Sequence, residues 1–198
     1  HSRHFSFLFH QNLFADMITL SPLRWGKPYE SLDFTDVVHF DTGEPIARVG
    51  NVGGGIVGRD MRQAHKARQA LLEFSTDELI ERCKQAAVLF ESADLSVGDS
   101  QQSVDQFVHQ QSASTGLPEH MCRSNMAKNS FVLSNIDQIL DCLTRGLDLS
   151  FFSRGYGEEG RGVIVSYQSQ TPVLGAVLPN NSPGVHTLWL PAIPLQVG

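Results

Sequence analysis

Three cysteines in 198 residues are too few, too scattered and of the wrong parity for a disulfide framework, and their spacing fits no zinc site. Cys83, Cys122 and Cys142 fall inside helical patterns and read as reduced thiols of a cytosolic protein, small core hydrophobes rather than nucleophiles. Positive charge is also scarce. Fifteen Lys and Arg against 21 Asp and Glu leave a formal charge of −6, which speaks against a nucleic-acid groove or an anionic membrane surface. Small molecules or other proteins are the partners to expect.

Long apolar runs are missing as well. In the opening HSRHFSFLFHQNLFADM the longest is Phe7 to Phe9, too short and too broken for a signal peptide or a membrane span. No initiator Met stands at position 1, and Met17 is a more natural start, so residues 1–16 read as a remnant or an extended arm. His1, His4 and His10 lie there, and a polar tail accounts for them better than a metal site. No repeat or low-complexity segment is present.

What remains is a globular composition, 41% hydrophobic and 18% charged, in a chain long enough for one domain with a sizeable core, or one domain plus an appendage. Two apolar runs flanking Asp41-Thr42-Gly43-Glu44 predict a β-hairpin across 37–49. Helical spacing follows from Arg59 to Phe74, and Thr76, Asp77 and Glu78 predict the capped, acidic start of a second helix reaching about Phe90. A third helix is expected over about 100–114, stopped by Thr115-Gly116-Leu117-Pro118. A fourth runs from Pro118 through Leu143 and is closed by Gly146. Beyond it the chain turns extended: Val163-Ile164-Val165 is strand-like, and Val173-Leu174-Gly175-Ala176-Val177-Leu178 has the unbroken apolarity of a strand buried on both faces.

Two stretches raise chemical questions. In GNVGGGIVGRD, residues 50–60, Gly53, Gly55 and Gly58 spell G-x-G-x-x-G ahead of a helix, as in a pyrophosphate cradle. A dinucleotide unit, however, needs a strand after that helix, and the pattern offers another helix, so a connection from hairpin to helix is the stronger reading. In LPNNSPG the apolar strand meets Pro179-Asn180-Asn181-Ser182-Pro183, a strand-to-helix corner. Asn180 and Asn181 could simply make a turn and a cap there, or their amides could meet a developing oxyanion.

Several segments, in order, resemble the amino-terminal part of the aldehyde dehydrogenase superfamily. DTGEPIARV resembles its early hairpin, VGRDMRQAHKARQALLEF its Ala-rich first helix, and DELIERCKQAAVLFESA the next helix with a central Arg, here Arg82. SASTGLP is similar to the family's E-T-G-K-P, and TPVLGAVLPNNSPG to its P-V-G-V-x-x-P-W-N-F-P. The likeness covers roughly residues 30–198. It implies that Asn181 is the Asn whose amide stabilises the oxyanion, and that Val177, Leu178, Pro179 and Asn180 lie beside the ribose of NAD or NADP. Asn180 replaces the usual Trp, Ser114 the Glu and Leu117 the Lys, which implies a distant branch, similar to acyl-CoA reductases. The family's nucleophilic Cys, general-base Glu and ribose-binding Lys would lie beyond Gly198.

The expectation is therefore an α/β fold, the amino-terminal part of an aldehyde-dehydrogenase-like architecture: a β-hairpin, four helices and the start of a Rossmann-like parallel sheet. By segment, 1–30 would be an arm or remnant and 31–159 the hairpin and helical part of the cofactor domain. Residues 160–171, resembling the family's oligomerisation strand, would pair along an edge, and 172–198 would begin the Rossmann-like core. The implied activity is oxidation of an aldehyde, or reduction of an acyl-CoA thioester, by a cytoplasmic homo-oligomer without a metal. The alternative is a non-catalytic oligomerisation or binding module derived from that fold.

Overall fold

The computed structural model describes residues 17–152, 156–158, 163–165, 173–178 and 191. In chain order its strands are β1 (Ile18–Leu20), β2 (Leu23–Arg24), β3 (Lys27–Pro28), β4 (Phe34–Val38), β5 (Pro45–Gly50), β6 (Leu95–Val97), β7 (Ser100–Gln102), β8 (Tyr156–Glu158) and β9 (Val163–Val165). Its α-helices are α1 (Gly54–Met61), α2 (Ala64–Leu72), α3 (Thr76–Ser92), α4 (Val104–Thr115), α5 (Glu119–Ser134) and α6 (Ile136–Thr144), followed by a 3₁₀ turn at Leu149–Phe152. The class is mixed α/β. The chain divides into two compact units, one made of residues through Gly53 with Asp94–Glu119, the other of Gly54–Ala93 with the residues from His120 onward.

In the first unit the hairpin expected over 37–49 is β4–β5, with strands that reach back to Phe34 and on to Gly50. Its turn closes through His39 N–H donating to Glu44 O at 2.8 Å and Gly43 N–H to His39 O at 2.9 Å, with Gly43 at φ +70. A side chain there would be strained, which is why a glycine sits in the T-G-E turn. β5 is the centre of a three-stranded sheet, antiparallel to β4 and parallel to β1 through Ile18↔Ala47, Thr19↔Arg48 and Leu20↔Val49. Arg48 ties that ladder sideways: its Nε donates to Thr19 Oγ1 at 3.1 Å and its guanidinium lies over the Phe34 ring.

A second hairpin, β6–β7, occupies 95–102, where the sequence suggested no strand and a helix already begun at 100. Val97 pairs with Ser100 across the two-residue turn Gly98-Asp99, and Gly98 is left-handed at φ +61. An added Cβ at Gly98 would come within 1.7 Å of Thr19 O, so strand β1 passes through the space a side chain needs. The helix starts instead at Val104, where Ser103 and Gln106 form a reciprocal capping box. α4 buries Val108 completely and ends at left-handed Gly116. The β4–β5 turn docks on this end through Phe40 N–H to Ala113 O, 2.9 Å.

The second unit holds five of the six α-helices found among the described residues, where four helices in all, and longer ones, were expected. The 59–74 helix is two, α1 and α2, separated at Arg62-Gln63 and beginning inside the glycine stretch at Gly54. The next helix is capped by Ser75, one residue before the expected Thr76. The Ser75 hydroxyl accepts from Glu78 N–H at 3.2 Å, and the Glu78 carboxylate accepts from Ser75 N–H at 2.8 Å. The long helix 118–143 breaks at Asn135, whose amide donates back to Phe131 O at 2.8 Å, competing with the helical ladder. α3 and α6 enclose a core of Ile80, Ile136, Leu140 and Phe152, edged by Leu79, Cys83 and Leu149. Each such side chain contributes about 1.5–3 kcal/mol on burial.

Strand-like Val163–Val165 is β9, antiparallel to β8. Residues 173–178, however, form no strand, so the Rossmann-like parallel sheet is not seen among the described residues. A strand apolar on both faces is stable only when neighbours and covering layers enclose it. No described strand pairs with this one, and Val177 is fully exposed. Among the described residues no helix is long and apolar enough to cross a membrane.

Candidate functional site

The residues assigned to chemistry by sequence are Val177, Leu178, Pro179, Asn180 and Asn181. Val177 is 100% and Leu178 45% exposed, outside any helix or strand. Pro179, Asn180 and Asn181, like His1, His4 and His10, lie outside the described residues.

The glycine stretch has the wrong surroundings for a cradle. Gly55 and Gly58 lie within α1, and a Cβ added at Gly53, Gly54 or Gly55 would meet nothing within 4 Å. These positions do not need glycine for a close approach. No described strand stands between α1 and α3, and the parallel neighbour of β5 is β1, which precedes it. The dinucleotide fingerprint is thus present as letters and absent as a strand–loop–helix–strand unit.

The segments that carry the family resemblance have definite local roles. Arg82 stacks its guanidinium on Phe74 at 4.6 Å from the ring centroid. Hydrogen bonds from Ser75, first its backbone N–H, hold the Glu78 carboxyl below the ordinary value. In SASTGLP the Thr115 hydroxyl donates to Gln111 O and the Ser112 hydroxyl to Leu117 O, both at 2.6 Å, closing α4 around Gly116. None of the cysteines is set up as a nucleophile. Cys122 is buried, burial pushes the Cys83 thiol up, and the exposed Cys142 belongs to no cluster of metal-capable side chains among the described residues.

One concavity in the first unit was not foreseen. A cleft of about 470 Å³ is lined by Met17, Ile18 of β1, Asp99 of the β6–β7 turn, Ser100 and Gln101 of β7, and Gln106 and Gln110 of α4. Fold and sequence cooperate here: the Gly98-Asp99 turn sets one wall, and the i, i+4 spacing puts Gln106 and Gln110 on one face of α4. The sequence did hold a signal, Gly-Asp between LSV and SQQ.

No family model, curated protein or solved structure matches the chain.

Proposed function

We propose that the chain carries the oxyanion-binding corner of an NAD(P)-dependent aldehyde dehydrogenase-like oxidoreductase, one that oxidises an aldehyde or reduces an acyl-CoA thioester. The observation that carries this reading is order. The T-G-E turn, the Ala-rich helical stretch, the Arg-bearing helix and the Gly116 stop follow one another in the order of the resemblance, and they fall on β4–β5, α1–α2, α3 and the end of α4. Val177 and Leu178 are exposed, which contact with a nicotinamide ribose would require.

On this reading Asn181 donates its amide N–H to the oxygen that becomes anionic when a thiolate adds to the carbonyl. NAD(P)⁺, when bound, supplies the hydride acceptor. Val177 to Asn180 would hold the ribose side by packing and backbone contacts. Nothing about Cys83, Cys122 or Cys142 fits the nucleophile, so residues 1–198 alone are expected to give no aldehyde-dependent NADH. The test is Asn181→Ala in a longer parent that turns over: kcat should fall about 10²-fold with cofactor affinity nearly unchanged, because the amide meets charge that develops only near the transition state. An unchanged kcat would reduce the corner to a turn and cap.

The second reading, a non-catalytic module, is favoured by Val88 at 65%, Leu89 at 52%, Phe131 at 66% and Leu143 at 57% exposure on the helices of the second unit. Sedimentation at tens of micromolar separates the two, since a strictly monomeric chain removes the module's support.

A further inference from the structure

We propose that the cleft between β1, the β6–β7 turn and α4 is a binding site for an uncharged, polyhydroxylated small molecule of monosaccharide size. The case rests on how its amides are already engaged. Gln106 Oε1 accepts from Ser103 N–H at 2.8 Å as part of the α4 cap, so its Nε2 is the end left over. Gln110 Oε1 accepts from Gln102 Nε2, again leaving an Nε2. Gln101 is engaged the other way round: its Nε2 donates to Ser96 Oγ at 2.8 Å, leaving Oε1. Among the described residues none of these leftover ends has a partner.

Three glutamines thus line one cleft with one end of each amide fixed by the protein and the other end uncommitted. The residues that line the cleft carry between them two uncommitted N–H₂ donors and one uncommitted carbonyl acceptor, beside the Asp99 carboxylate and a Ser100 hydroxyl that donates to Val97 O. A hydroxyl group is both donor and acceptor, so adjacent hydroxyls match such a mixed set, which neither a pure donor nor a pure acceptor can do. Fixing one end of a flexible glutamine beforehand also lowers the ordering cost of binding.

Other ligand chemistries fit worse. No Lys, Arg or His lines the cleft, so a phosphate or carboxylate would face Asp99 without a counter-charge. Only one carboxylate is present and no three-ligand cluster exists among the described residues, so a multivalent metal lacks donors. The apolar lining is limited to Met17 and the largely buried Ile18, too little for a hydrophobic guest.

The test uses the full 198-residue chain with isotope-labelled side-chain amides, titrated with D-glucose, D-ribose and myo-inositol to about 50 mM, well above the millimolar affinity that a few hydrogen bonds on an open cleft support. At least one sugar should shift the Gln101, Gln106 and Gln110 amide signals saturably, with Kd about 1–10 mM. Gln106→Glu keeps the capping acceptor and turns the leftover donor into a charged acceptor in a cleft that already holds Asp99, so it should fold normally and weaken binding about tenfold. Gln101→Ala, at an exposed position, should weaken it similarly. Absence of saturable shifts with all three compounds overturns the assignment, as does binding untouched by Gln106→Glu. So would shifts produced by ethanolamine and by none of the sugars, which would make Asp99 a plain ammonium contact. Asn181 plays no part in these readouts, so the sugar site can fail while the oxidoreductase reading stands.

Discussion

Three glycines of the first unit contrast with the three that lie in α1 of the second. In the first, Gly98 sits at φ +61 with Thr19 O in the space of its missing Cβ, Gly50 has Pro22 Cδ and Ser31 Cβ each 2.9 Å from that point, and Gly116 faces the Phe40 ring at φ +75. In the second, Gly54 and Gly55 open α1 with nothing near them, and at Gly58 the nearest atom would be the flexible end of Arg62, 4.0 Å away. The glycines that look like a motif are the dispensable ones, and the isolated ones are fixed by backbone geometry. Spacing in the sequence says that a backbone could come close; only the neighbour in space says that it does.

The contrast is broken most directly at Gly98. Gly98→Ala forces a side chain against the backbone of β1, which cannot swing aside, and it also strains a left-handed residue. The expected loss is about 4 kcal/mol or more, at the diagnostic end of single substitutions. Urea denaturation with amide exchange read at β1 and β6–β7 would measure it, and Gly53→Ala, with open space, serves as the silent control. A Gly98→Ala protein of native stability would mean that β1 does not pass the turn this closely.

Gly116→Ala should be milder, about 1–2 kcal/mol. The left-handed cost is the same in kind, but the contact at 2.9 Å is with the ring of Phe40, which is 60% exposed and can rotate away. Adding Phe40→Ala should recover the steric part and leave the backbone part, so the double-mutant cycle divides the two. Full additivity would mean the ring never touched the cap.

Gly58→Ala has the opposite sign. Within α1 an alanine gains about 0.5–1 kcal/mol of helix propensity, and the thermal midpoint should rise by about 1–4 °C. If these glycines cradled a phosphate, the same change would leave or lower stability and abolish a nucleotide-induced shift instead.

How legible was this in the sequence? The β4–β5 hairpin was, because Asp-Thr-Gly-Glu between apolar runs has a direct backbone cause in Gly43. The β6–β7 hairpin was not, because three-residue strands give alternation too little length and Ser100-Gln101-Gln102 blends into the polar start of α4. Helix breaks at Arg62-Gln63 and Asn135 escaped for a similar reason: none of these residues is the Gly or Pro that punctuates a pattern. The Ser75 cap was misplaced by one position because Ser and Thr are adjacent and equally able, and only the reciprocal bond with Glu78 decides between them. The unbroken apolarity of 173–178 suggested a buried strand because composition reports what a segment would bury, not whether neighbours exist to bury it. The cleft was least legible of all. Glutamine carries no nucleophile or metal signature, and its meaning here depends on which end each amide has already used.

The smallest effect expected belongs to the second unit, where Lys84 Nζ meets Asp137 Oδ2 at 2.7 Å and joins α3 to α6. The hydrogen bond from Lys84 is the main cause holding the Asp137 carboxyl below its usual value. A carboxyl whose folded pKa is depressed adds stability that is present above its unfolded pKa, near 4, and is lost as pH falls through the lower folded pKa. With the side chains 37% and 40% exposed, solvent screens the pair and its worth is a few tenths of a kcal/mol. Asp137→Asn should therefore lower stability slightly at pH 7 and low salt. The gap to the unsubstituted chain should shrink as pH falls below about 4 and narrow again in about 1 M salt. Glu78 titrates in both proteins and cancels from this difference. A gap that persists at low pH would assign the role of Asp137 to its position in the first turn of α6, where Asn could not replace it, rather than to its charge.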